Sequence, residues 1–456
     1  MSRKHVTPNF EKIHVWESYS SELKTEFRQS IEEGLDLSGR EDLFLAVSRM
    51  PKCEERERLA DVIFDLVLNA PLTTDYPYVE PSDLEGIRAL CKPHPLAGKL
   101  PDKEALFDKI YGAWLGRIVG CLLGKPVEGI RTNELVPLLK ASGNYPMHRY
   151  ILSTDITDEM CDTFKFKLRG KCYADTVSGM PVDDDTNYVV LAQKIVERYS
   201  RDFTAERVAH AWLKYQPKDA YCTAERVAFR NFVNGYLPPE SAVYKNPYRE
   251  WVGAQIRGDY FGYINPGNPS LAAEMAFRDA SISHVKNGIY GELFISAMIA
   301  AAAVTDSTKD ILLAGLGEIP TTSRLYEAIA DLLRDFENGV TEEEAFKKIH
   351  TRFDEHDPHD WCHTISNALI VSAALLYGKG DFGRSICMAV ETGFDTDCNG
   401  ATVGSILGMH SGASAIGDEW TAPLEDKLHT TIFGVGTVSI RACAEQTMAH
   451  LPSEQL

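Results

Sequence analysis

Gly112, Gly116, Gly120 and Gly124 recur at four-residue intervals within Phe107 to Gly124, an apolar run with helical spacing, so they fall along one helix face. Interior glycine weakens a helix by about 1 kcal/mol relative to alanine, so four in a stripe need a steric reason. Such a stripe lets another backbone, or a ligand, come close, and close helix packing is the expectation. The helix should stop near Gly124-Lys125-Pro126, because proline disfavours a helical residue before it. Glu128 then sits on the loop just beyond.

The chain carries two acid-dense helix starts. Pro181-Val182-Asp183-Asp184-Asp185-Thr186 runs straight into an apolar periodic stretch, Asn187 to Ser200. Far downstream, Gly393-Phe394-Asp395-Thr396-Asp397-Cys398 leads into Ala401 to Gly408, a small-residue helix suited to tight packing against a partner. Asp and Thr are ordinary caps, favoured by free amides and the helix dipole. A cap, however, needs one acid and not three. Adjacent carboxylates repel, and need a cation, a raised pKa or bulk water. If the two starts face each other, five carboxylates share a pocket of hard oxygen ligands suited to Mg²⁺, Mn²⁺ or Ca²⁺ rather than zinc.

Residues 1–102 read as a separate helical extension, with helices at Ser21 to Glu33, Arg40 to Val47 and Glu54 to Val67, and a Pro/Gly-rich linker at Cys91 to Asp102. Its charges alternate along presumed solvated faces, and nothing in it looks catalytic. Residues 103–456 form the main domain, expected to be all-α because no alternating run suggests a strand. Two of its helices, near 204 and 223, open with the same Thr-Ala-Glu-Arg-Val-Ala sequence, read as shared capping. The segment Gly258 to Pro269 reads as an aromatic-rich loop. His356, His359 and His363 invite zinc, but no cysteine or carboxylate spacing completes a tetrahedral set.

Sixty-six acidic against 47 basic residues give a net charge of −19, which argues against a nucleic-acid or acidic-membrane surface. Ten cysteines without a C-x-x-C pair suggest reduced thiols. The start, Met-Ser-Arg-Lys-His, has no apolar segment after it, and the longest apolar run, Leu293 to Val304, is too short to span a bilayer. A cytoplasmic location is the resulting expectation.

Taken together, Gly112-Ala113-Trp114-Leu115-Gly116 through Gly124-Lys125-Pro126-Val127-Glu128-Gly129, Asp183-Asp184-Asp185-Thr186 and Asp395-Thr396-Asp397 resemble the ADP-ribosylglycohydrolase family, which includes the dinitrogenase-reductase-activating glycohydrolases. The likeness covers about 105–445. It implies an all-helical hydrolase holding two divalent ions, usually Mg²⁺, with Asp183, Asp184 and Asp185 as ligands from one side and Asp395 and Asp397 from the other. Glu128 is the implied acid/base beside the ribose, with Asp185 as its competitor. His284, Asn287 and Gly288 would face a phosphate or distal ribose, and Tyr263 would stack on an aglycone. Three departures stand out: Asp183 and Cys398 replace residues that are often Thr, and Cys121 replaces a common Asp.

The partner implied is a ribosyl-containing small molecule or an ADP-ribosylated protein, cleaved at the ribosyl C1″ bond through an oxocarbenium-like transition state. Two rivals accompany this glycosidase reading. One is a hydrolase of small nucleosides or furanosides using the same pocket; the other is a non-catalytic ADP-ribose-binding or structural relative, and a structural one would be expected to lose the metal carboxylates.

Overall fold

The computed structural model describes residues 6–452; the polar start at 1–5, weighed above as a possible leader, lies outside the described residues. The chain is 62% helical, which makes the fold all-α. One short antiparallel pair, Lys427–His429 with Thr437–Ser439, is the exception to the strandless expectation. No helix among the described residues is long and apolar enough to cross a membrane.

The centre is a contact between two glycine-bearing helices, Lys103–Gly124 and Thr396–Ser411. They run antiparallel, matching Gly112 with Gly408, Gly116 with Gly404 and Gly120 with Gly400, while Gly124 meets Thr396. A Cβ at any of these glycines would collide with main-chain atoms of the opposite helix. The glycine stripe therefore has the steric reason expected of it, and the small-residue helix downstream is the partner it needed. The first helix ends at Gly124 and passes into a short turn, Lys125–Val127, as the proline predicted.

Around this pair lie Lys286–Ala302 and Thr364–Gly378, both buried on nearly every face. Helices apolar all round belong in a core. Asp184–Tyr199 completes the frame of the site.

The N-terminal helices Leu23–Glu32, Glu41–Ser48 and Glu54–Leu68 form where their spacing predicted and share a small core of their own, with Leu23, Phe44, Ile63 and Phe64 buried. The expectation of solvated charged faces fails here. Glu26 and Glu33 are buried and pair with Arg249 at 2.8 and 2.5 Å, while Lys286 meets Glu33 at 2.8 Å. Glu80 is held by Arg324 at 2.8 Å. The periodicity was legible, but the partners lie far away in sequence, so the same spacing served a docking face.

Candidate active site

Three chain segments converge where the glycine seam ends. Thr396 Oγ1 donates to the Gly124 carbonyl at 2.9 Å, which fixes the end of one central helix against the start of the other. Glu128 follows the turn after Gly124, while Asp395 stands at the N-cap of the second helix and Asp397 in its first turn. Asp183 caps Asp184–Tyr199, its side chain accepting the Asp185 N–H at 2.9 Å.

Arg117, fully buried in the first central helix, joins this third segment to the other two. Its Nε and Nη2 donate to the Asp185 carbonyl and carboxylate at 2.9 and 2.8 Å. Its Nη1 donates to Thr402 of the second helix at 3.1 Å. Sequence reasoning missed Arg117; an arginine inside a glycine-striped apolar run was the available signal. Lys125, read in the sequence only as part of the helix stop and the glycine motif, places its ammonium 2.5 Å from Asp183.

The two acidic motifs therefore meet. Ligand atoms of Cys121, Asp183, Asp185 and Asp397 all lie within 4.8 Å of one another. Burial, followed by the field of Asp183, Glu128 and Glu225, pushes Asp184 up to about 7. Burial also raises Asp185, Asp395 and Asp397 well above the usual carboxylate range, with mutual repulsion adding to the effect; for Asp185 the Arg117 guanidinium opposes it. Glu128 is raised by burial and by Asp183. Such a group of acids must take up protons or cations.

The residues fit a divalent cation. Asp397 Oδ1 is buried without a hydrogen-bond partner among the described residues, and the surrounding donors are mostly hard oxygens. Cys121, fully buried, adds one softer donor. Cys398 is buried as well, and burial, with the charges of Asp185 and Asp395, holds its thiol protonated well above the usual range.

Other expectations land elsewhere. The Gly258 to Pro269 segment is a packed turn and short helix, Asp259–Tyr263, rather than an exposed loop. Its aromatics fill the core: Tyr263 is fully buried, its hydroxyl 2.7 Å from Ser405 Oγ, and it packs against Trp114. Asn287 is buried and donates to Glu250 and Glu80, each at 2.8 Å. Gly288 lies against the Arg249 carbonyl, with no room for a Cβ. His284 is buried beside Ser283 Oγ at 2.8 Å and Glu225 at 4.0 Å. Tyr263, Asn287 and Gly288 are thus taken up by packing and hydrogen bonds within the protein, whereas His284 keeps Nε2 without a hydrogen-bond partner among the described residues and adjoins Glu225, whose charge acts on Asp184.

The shared sequence near 204 and 223 also hides a difference. Thr204 caps its helix, whereas Thr223 is the first helical residue after Cys222. Glu225 is buried, paired with Arg257 at 2.8 Å, and brought to about 7 by burial, against the pull of Arg257.

His359 and His363 do acquire a carboxylate, from Glu32 of the N-terminal region, at 3.0 and 3.8 Å. Their Nδ1 atoms, however, accept from Trp251 Nε1 and from the Ile365 N–H, each at 3.1 Å. The protons are therefore on Nε2, facing Glu32, where a metal would need a lone pair. Zinc remains rejected, now on tautomer grounds. A surface hollow of about 1280 Å³ beside Phe346, Phe382 and Trp420 contains none of the clustered carboxylates.

A family model described as ADP-ribosylglycohydrolase matches residues 102–451. Among solved structures, one described as an ADP-ribosylglycohydrolase-related protein complex is 16% identical, covers 76% of this chain and 98% of that chain, and superposes with a TM-score of 0.43. No curated protein matches. The chain belongs to the ADP-ribosylglycohydrolase family.

Proposed function

We propose that this member of the ADP-ribosylglycohydrolase family is a divalent-metal-dependent glycosidase that cleaves the ribosyl C1″ bond of an ADP-ribosylated or ADP-ribose-like substrate. Residues 103–456 form its catalytic unit, and 1–102 a helical extension docked upon it. The observation that carries this reading is the orphaned, buried Asp397 Oδ1, set among acids from both distant motifs.

When bound, a divalent cation would supply Lewis-acid charge for ribose hydroxyls and a water. Asp184, Asp395 and Asp397 would hold it, with Asp183 and Asp185 shaping the pocket wall. Glu128 is the acid/base: burial and the charge of Asp183 raise its pKa, which favours the protonated form that can pass a proton to a leaving group and take one back from an attacking water. Asp185 is the weaker candidate, since Arg117 already occupies its Oδ1 and disfavours proton uptake there. Changing Glu128→Gln should lower turnover about a hundred- to ten-thousand-fold while Mg²⁺ binding persists. Near-normal turnover removes Glu128 from the mechanism.

Calorimetric titration of Mg²⁺ into metal-stripped protein tests the whole reading. Binding should vanish in Asp184→Asn and Asp397→Asn, and ADP-ribose should tighten it in the wild type. An absence of any Mg²⁺ or Mn²⁺ binding overturns the reading. Metal binding indifferent to ADP-ribose would favour the second reading, hydrolysis of a small nucleoside or furanoside.

A further inference from the structure

The acid cluster divides according to what each carboxylate already holds. On one side both oxygens of Asp183 are committed, Oδ1 to the Asp185 N–H at 2.9 Å and Oδ2 to the Lys125 ammonium at 2.5 Å. Asp185 Oδ1 receives Arg117 at 2.8 Å. Two fixed positive charges are thus built into this half. Asp184, Asp395 and Asp397 make no ion pair with any described lysine, arginine or histidine, although Asp397 stands within 4.8 Å of Asp183, Asp185 and Cys121. Asp397 Oδ1 is buried with no hydrogen-bond partner among the described residues.

Lys125 does not reach its position by chance of rotamer alone. It is the first residue after Gly124, whose backbone is pinned against Thr396, and the turn Lys125–Val127 continues directly into Glu128. An ammonium is a compact point charge with three donors, able to sit between carboxylates much as a small cation does. A divalent ion placed at Asp183 would have to displace that ammonium and lie beside Arg117 as well. Like charges so close, away from bulk water, repel strongly.

Building on the metal-dependent reading, we propose that the Lys125 ammonium takes the place of a second divalent ion, so that this chain binds one ion, at Asp184, Asp395 and Asp397, rather than the two implied by the sequence resemblance. The consequence is a mononuclear centre with a permanent protein cation beside it. Lys125 is a site-defining residue, and its removal reopens the Asp183 half to metal.

Loading the metal-stripped full chain with Mn²⁺ reads this directly, through Mn-to-protein ratio by elemental analysis and through electron paramagnetic resonance. The wild type should bind one Mn²⁺ and give the six-line spectrum of an isolated ion. Lys125→Met should bind two, with a spectrum broadened by coupling across shared carboxylates. Lys125→Arg, keeping the charge, should stay at one. Two ions in the wild type overturn the proposal, and this count decides even if a variant fails to fold. A folded Lys125→Met that stays at one also overturns it. No Mn²⁺ in the wild type instead sinks the metal-dependent reading on which the count rests.

Discussion

Two sets of buried carboxylates in this molecule live in opposite company. In the acid cluster, the nearest neighbours of a carboxylate are mostly other carboxylates. On the docking face of the N-terminal helices, Glu26, Glu32 and Glu33 are each matched by a basic side chain. Glu250 accepts from Arg324 at 2.7 Å and from Gln29 at 2.6 Å; burial alone would raise it, but Arg324, with Lys286 and the hydrogen bond from Asn287, holds it well below the usual range. Burial also works to raise Glu32, yet the hydrogen bond from His359 and the nearby Arg28 guanidinium bring it down to about 2. Burial by itself therefore says little about the role of an acid. A carboxylate surrounded by cations is finished by folding, and one surrounded by carboxylates waits for something to complete it.

The contrast is sharpest in what a substitution does. Arg249→Met would leave Glu26 buried without a cation and Glu33 with Lys286 alone, and should cost about 3–5 kcal/mol by chemical denaturation. A loss below about 1 kcal/mol would mean that the docking face is not a matched network.

The pH dependence should differ in sign. Glu32 is depressed, so its contribution is full above its unfolded value near 4.5 and is lost as pH falls toward about 2. Asp184 is raised, so its contribution is full below its unfolded value near 3.8 and is lost as pH rises toward about 7. The metal-free site should thus weaken the protein between about pH 4 and 7, and Mg²⁺ should restore it. Saturation a hundredfold above Kd adds about 2.7 kcal/mol, so the Mg²⁺-induced rise in Tm should be larger at pH 8 than at pH 5. Equal rises at both values would contradict the raised acids.

The smallest effect expected also has the opposite direction. Asp395→Asn removes a repelling charge, and should leave the metal-free protein as stable or up to about 1 kcal/mol more stable, measured by urea unfolding. A clear loss would make Asp395 a structural acid like those of the docking face.

The sequence made one of these regions far more visible than the other. Gly112 to Gly124, the stop at Lys125-Pro126 and the two acidic starts announce themselves locally, because glycine spacing and adjacent aspartates are improbable without a reason. Glu26, Glu32 and Glu33 gave no such sign, since they sit at ordinary spacing and their partners Arg249, His359 and His363 arrive only through folding. Tyr263 misled for a related reason: glycine, asparagine and proline around aromatics mark a turn, but not whether the turn is covered. Glu225 and Glu206 begin almost identical segments, and only the arrival of Arg257 separates them.

The glycine seam bears on how such a protein can change over generations. Main chain rests on main chain at Gly116 and Gly404 and at Gly120 and Gly400, so no side chain lies between the helices whose volume could drift. The distance from Glu128 to Asp397 is then set by a gauge that pocket residues cannot alter. Side chains such as Cys121, Lys125 and Cys398 are free to be exchanged, and a new preference for ion or substrate can arise inside a mount that stays true.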